Sequence, residues 1–322
     1  MSVSARQRRL AWFAWAAVCL IWGTTYLGMR VALDTMPPLL LGGLRWTVAG
    51  ALLAAVLVMR GERLPPPSTW PRFAVFGFLL LGLGNGGVVV GEQWVSSGLT
   101  AVTIATTPFW MVGFEALMPG GERWTLGKAL GLGVGFAGIL LLVSPGLSPG
   151  HPIDRHFLLG ILAIQIACAG WAVGTSWRKR EPHGQSVAMA AAMEMLTGGL
   201  CLTLCGTVIG EWTRLSFTGT TLTAYVYLTL VGAIGGFVAF SYAAEHLPVA
   251  TVSLYAYINT VIAVVLGAIV LGEPFGPRTI LSMVVILTGV AIVRRERPAT
   301  ARAVVVADLG ATLSGRATQR TD

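Results

Sequence analysis

Glu194 lies in VAMAAAMEMLTGGLCLTLC (Val187–Cys205), a run otherwise fit for the interior of a lipid bilayer. An ionised Asp at mid-membrane costs about 2.5–3.5 kcal/mol on insertion scales, and a Glu is of similar order. Glu194 therefore has a partner or water, or it serves a pathway. A structural ion pair and a protonated, hydrogen-bonded carboxyl are the plainer readings. Arg45, in LRWTVAG (Leu44–Gly50), is nearer the end of its run, where its side chain can extend to interfacial water. Glu92 closes a third apolar run in GNGGVVVGEQW, and Asn85 stands two helical turns earlier on nearly the same face. Glu92 reads either as an exposed helix end or as a polar group at a cavity mouth. Glu92 and Glu194 are the candidates for proton uptake in a transport cycle.

A second group is aromatic and hydroxylic. In ATTPFW, Pro108 removes a backbone donor and kinks its helix, while Thr106 and Thr107 can bond the freed carbonyls. The corresponding stretch of the second half, YAYINT, offers Tyr255 and Asn259 on one face, with Tyr257 pointing elsewhere. Polar or interrupted segments at matching positions of two halves point to a transport site; interhelical hydrogen bonding is the bland alternative. Trp22 and Trp171 lie deep in apolar runs rather than at their ends, so they suit cavity walls or gates as well as packing. Tyr26, four residues after Trp22, extends its face.

Other chemistry is excluded. GLGNGG and GVGFAG fit a dinucleotide-binding spacing, but neither follows a strand, and no Walker A sequence is present. No His or Asp lies deep in an apolar run, so the nucleophile–base pair of an intramembrane enzyme is missing. The four histidines fall in loops or at helix ends, and the four cysteines inside apolar runs, without zinc spacing. No catalytic residue, metal or cofactor is expected. The net charge of +8 comes with no RNA- or DNA-binding motif, so nucleic acid is not an expected partner.

The elements that must position these residues follow from composition. Of 322 residues, 55% are hydrophobic and 11% charged, and the mean hydropathy is +0.74. Soluble domains carry about 25% charge, so most of this surface faces lipid. Runs of roughly 20 apolar residues, enough to cross a bilayer as helix, fall near 11–31, 39–59, 73–92, 99–118, 125–143, 157–177, 186–209, 222–243, 249–271 and 278–293. Pro- and Gly-rich turns separate them, too short for a soluble domain. Arg and Lys concentrate before the first run and after the second, fourth, sixth and tenth, which puts both termini in the cytoplasm. The tail 294–322 is polar and reads as disordered. Gly127, Gly131 and Gly135 recur every four residues in the fifth run, which suits close helix packing and makes a homodimer through that helix an expectation.

The chain is also duplicated. CLIW (19–22) recurs as CAGW (168–171), LRWTVAG as MEMLTGG (193–199), SGLTAVTIATTPFW (97–110) as LPVATVSLYAYINT (247–260), and GGER (120–123) as LGEP (271–274). The offset is about 150 residues throughout, and Arg45 falls opposite Glu194. Five spans per half is an odd number, so the second half must enter the membrane from the other side. Inverted repeats of this kind are a secondary-transporter construction, with the site where the halves meet.

The stretches IWGTTYLGMRVAL, PPLLLGGLRWTVAGALL, GLTAVTIATTPFW and WAVGTSW…EMLTGG…YINTVIAVVLGAIVLGEPF resemble the EamA-type permeases of the drug/metabolite transporter superfamily, over residues 11–293. The resemblance implies an all-α integral membrane fold of ten helices as two inverted five-helix repeats, in the inner or plasma membrane. Spans 1–4 and 6–9 would line a cavity, with spans 5 and 10 to one side. The layout expected is a cytoplasmic N-terminus 1–10, a first repeat 11–143, a connecting loop 144–156, a second repeat 157–293 and the tail. The expected function is secondary transport of a small metabolite, amino acid-like or amphipathic, outward and proton-coupled. A channel or receptor is the alternative, and an intramembrane enzyme a poorer one.

Overall fold

A computed structural model describes residues 5–118, 125–143, 154–181, 184–247, 252, 254–273 and 276–295. Residues 1–4, most of the connecting loop 144–156 and nearly all of the tail 294–322 lie outside the described residues. The described residues contain helices and no strand. They are α1 (Ala5–Ala32), α2 (Pro38–Met59), α3 (Pro67–Gly91), α4 (Ser97–Ile104), α5 (Thr107–Leu117), α6 (Leu126–Val143), α7 (Arg155–Arg178), α8 (Val187–Val208), α9 (Gly219–His246), α10 (Tyr255–Leu271) and α11 (Pro277–Arg295). Among the described residues six helices, α1, α2, α3, α7, α8 and α9, are long and apolar enough to cross a membrane.

Local sequence sets the ends. Ser96, Asp154, Ser186 and Thr218 cap α4, α7, α8 and α9, their side-chain oxygens accepting backbone N–H bonds from the first turn. Gly272, at φ +62°, ends α10 in the left-handed conformation that glycine adopts without strain. The span expected at 99–118 is broken at Ala105–Thr106. Pro108 has no N–H to give, and the Thr106 and Thr107 hydroxyls donate to the Thr103 and Ile104 carbonyls at 2.7 Å each. Both α3 and α9 contain a wide π-type stretch, Phe78–Asn85 and Leu228–Gly235, offset by 150 residues. The duplication thus extends to a backbone irregularity that the sequence comparison did not reveal.

The halves pack by exchange. Helix α1 lies against α9 and α10; its counterpart α7 lies against α3, α4 and α5. Helix α2 pairs with its own counterpart α8, and α6 with α11. The α2–α8 pair is antiparallel. A Cβ on Gly43 would meet the Thr203 nitrogen at 2.5 Å, one on Gly50 the Leu196 nitrogen at 2.4 Å, and one on Gly199 the Thr47 nitrogen at 2.2 Å. Small residues let these backbones touch, as in membrane helix pairs generally.

The glycine-rich face of α6 is used in the same way. A Cβ on Gly289 of α11 would stand 2.5 Å from the Gly135 nitrogen and 2.6 Å from the Gly131 oxygen. Gly131 and Gly135 thus pack against α11 of the same chain. Outward-facing apolar side chains include Phe13, Leu20, Leu204, Val208 and Ile269, each more than three-fifths exposed. Water would not tolerate so much exposed apolar surface, whereas acyl chains do.

Candidate functional site

A narrow cavity of about 70 Å³ lies between the two halves. Spans 1–3 contribute Trp22, Thr25, Tyr26, Arg45, Trp46, Gly84 and Val88 to its wall. The break after α4 contributes Ile104 and Thr107, and the second half Ala167, Cys168, Trp171, Gly232 and Tyr255. The cavity's volume is about half the roughly 150 Å³ of an apolar cavity that takes up benzene, so the space is small as well as partly open. Wider vestibules stand at both ends of the bundle. One, of about 310 Å³, is lined by Arg178, Lys179, Glu181, Phe240 and Ser241; the other, of about 400 Å³, by Arg30, Asp34, Gln93 and Glu273.

Aromatic rings close the Arg178 end of the cavity. Trp22 meets Trp171 edge-to-face at 5.4 Å, Phe240 at 5.2 Å and Tyr255 at 5.2 Å. Phe240 also contacts Trp171 at 5.0 Å and Tyr255 at 5.8 Å. Because Phe240 lines the vestibule while its partners line the cavity, this cluster is the partition between them. Sequence reasoning selected Trp22, Trp171 and Tyr255 but missed Phe240 and its neighbour Phe237. A phenylalanine in an apolar run carries no signal separating a gate from lipid contact.

Of the expected residues, the structure brings Trp22, Tyr26, Arg45, Thr107, Trp171 and Tyr255 into one cavity. Asn85 supports them from behind. Its Oδ1 accepts from the Arg45 Nη2 and, at 2.8 Å, from Trp46 Nε1. Pro108 and Asn259 are buried beside the cavity without lining it. With its amide nitrogen as donor, Asn259 bonds the carbonyls of Cys19 at 2.7 Å and Tyr255 at 3.0 Å, tying α10 to α1.

Glu92 is fully buried, which removes the reading of an exposed helix end. Its backbone carbonyl accepts from Arg30 Nη1 at 2.8 Å, and neither carboxylate oxygen has a hydrogen-bond partner. Arg30, Arg45 and Glu273 lie within electrostatic reach.

Glu194 is fully buried as well, but it does not line the cavity. Its Oε1 stands 2.8 Å from Arg178 Nε, an ionic contact off the line that a hydrogen bond needs. The structure therefore gives Glu194 the structural ion pair, and separates it from Arg45. Its partner was missed because Arg178 belongs to a basic cluster that reads as a loop; the long side chain folds back beneath the helix end. Beyond it, burial holds the Lys179 ammonium below its ordinary range, and its Nζ donates to the Leu247 carbonyl at 3.3 Å. Among the described residues no cluster of His, Cys, Asp or Glu could hold a metal ion.

Apolar helices with two exchanged halves around a polar, aromatic cavity define a multi-pass membrane transporter rather than an enzyme. The model of the EamA-like transporter family matches residues 10–144 and 158–295, and the chain belongs to that family. It is 36% identical over 280 residues to a protein of Escherichia coli K12 named as the uncharacterized inner membrane transporter YedA, covering 86% of this chain and 88% of that one. It is 25% identical over 291 residues to the uncharacterized transporter YvbV of Bacillus subtilis, covering 90% and 93%. A solved crystal structure, 21% identical, shares the fold with a TM-score of 0.62 over 88% of this chain and 95% of its own. The protein is a multi-pass transporter of the cell membrane.

Proposed function

We propose that the protein is a secondary carrier that exports a small amino acid-like or amphipathic metabolite by alternating access, driven by protons. The observation carrying this reading is a narrow cavity flanked by two wider vestibules, with an aromatic partition on one side. A conduction pathway open throughout would have no such constriction; a carrier opens one side at a time. The antiparallel α2–α8 and α6–α11 pairs support halves threaded in opposite senses. In this account the chain crosses the membrane ten times, with repeats at 11–143 and 157–293. Both termini and the Arg178 vestibule are cytoplasmic, and the Glu273 vestibule faces outward.

Of the two carboxylates, Glu92 is the better proton acceptor, because Glu194 already has Arg178. Protonating Glu92 would remove a buried charge from between Arg30 and Arg45 and loosen the outer end. The test is flux of a screened metabolite library in proteoliposomes, with and without a pH gradient. The gradient should drive accumulation by the native protein and not by Glu92→Gln. A native rate indifferent to the gradient would end proton coupling. Single cysteines replacing Arg60 and Arg278 should react from opposite sides of the membrane; reaction from one side would end the inverted topology.

A further inference from the structure

The central cavity can be read by asking which of its polar atoms already have partners. Thr25 donates to the Trp22 carbonyl at 2.8 Å, and Thr107 to that of Ile104 at 2.7 Å. Trp22 Nε1 donates to the Gly232 carbonyl at 3.1 Å and Trp46 Nε1 to Asn85 at 2.8 Å. Two wall atoms are buried with no partner: Arg45 Nε and Trp171 Nε1. Both are donors, each free to meet an acceptor brought in by a ligand.

Charge tells the same story. Arg45 is 2% exposed and makes no ion pair among the described residues. Its guanidinium is held by a neutral acceptor, Asn85, and by the face of Trp46 at 4.8 Å. A guanidinium is never neutral in practice and matches a carboxylate with paired N–H donors. No carboxylate lines the cavity; Glu92 lies within electrostatic reach but outside the wall. Around Arg45 the wall is aromatic, from Trp22, Tyr26, Trp171 and Tyr255.

We propose that this cavity binds a small organic anion, a carboxylate carried on a flat apolar body, with Arg45 as the anchor of the carboxylate and Trp171 Nε1 as a second donor. The inference rests on the carrier reading above and narrows its substrate class. A cation would meet a positive charge with no carboxylate in the wall beside it, and a neutral compound would bring no charge to it and no carboxylate for the free Nε. The anion supplies both the charge and the acceptors.

Three indoles differing only in side-chain charge test it: indole-3-acetate, neutral tryptophol and cationic tryptamine. Each is titrated calorimetrically into the full-length protein in lipid nanodiscs. Indole-3-acetate should bind at least tenfold more tightly than tryptophol, with tryptamine weakest. Arg45→Gln should erase that preference and Arg45→Lys keep part of it, while the native ranking gives an answer even where a variant does not fold. Tryptamine or tryptophol binding as tightly as indole-3-acetate, or no binding of any indole by folded protein, overturns the proposal. Counterflow in proteoliposomes separates the two readings. Anion binding without exchange removes the carrier reading alone, whereas tryptamine exchange indifferent to Arg45→Gln removes the anion site alone.

Discussion

Trp22 and Trp171, at equivalent positions of the two halves, meet edge-to-face at the centre of the molecule with ring centroids 5.4 Å apart. One side chain from each half thus forms a single wall, and Phe240 rests on both at 5.2 and 5.0 Å. A pathway through the cavity must part these rings.

Phe240→Leu should therefore raise passive leak through the cavity about tenfold while leaving the fold intact, since it preserves an apolar side chain of nearly the same reach. Phe240→Ala would confound the reading, because emptying a buried phenylalanine site costs about 3–5 kcal/mol. Efflux from preloaded proteoliposomes measures the leak. An unchanged leak in Phe240→Leu would remove the partition role.

Glu194→Gln should act on stability rather than on transport. It leaves Arg178 buried without its counter-charge. Breaking such a pair costs about 3–5 kcal/mol, and access of Arg178 to vestibule water should hold the loss near 2 kcal/mol. Thermal unfolding in detergent reads the loss, and Arg178→Gln combined with Glu194→Gln should recover part of it. Lost transport in a variant of unchanged stability would restore Glu194 to the pathway.

Glu273 ties the halves together at the opposite end. Its carboxylate accepts from the Ser97 nitrogen and hydroxyl at 2.8 Å each and from the Gly98 nitrogen at 2.9 Å, capping α4 from the loop after α10. Glu273→Ala leaves those donors unpaired, a loss of about 1–3 kcal/mol, and should free the start of α4. Faster thiol labelling of a cysteine placed at Gln93 would register the loosening; unchanged stability and labelling would contradict it.

Gly199→Ala probes the seam itself. Its new Cβ would stand 2.2 Å from the Thr47 backbone nitrogen, so a helix must move rather than a side chain. Overpacking of this kind costs about 3 kcal/mol. Size-exclusion profiles should show aggregated protein, whereas a normal profile would mean that α2 and α8 are further apart.

The long helices were legible because bilayer thickness sets a length and apolar residues fill it: the expected spans 11–31, 39–59, 73–92, 157–177, 186–209 and 222–243 fall on the six described helices able to cross a membrane. The break before Pro108 was legible for a covalent reason. Repetition exposed Trp22 and Trp171, because tryptophan is conspicuous at matched positions. What stayed hidden depends on tertiary partners. Arg178 stands in a basic stretch that reads as a loop, Glu273 caps a helix some 175 positions earlier in the chain, and Phe240 resembles every lipid-facing phenylalanine. The π-type stretches of α3 and α9 leave no periodicity to detect over so few residues.

Cys168 offers the most direct test of the central claim, because a native thiol already lines the cavity, 3.3 Å from the Thr107 hydroxyl. With Cys19, Cys201 and Cys205 replaced by alanine, a small membrane-impermeant thiosulfonate is applied to either face of oriented vesicles. Alternating access predicts that Cys168 is modified from each side in turn and protected by a transported substrate. Modification from one side only, whatever the substrate, would contradict it.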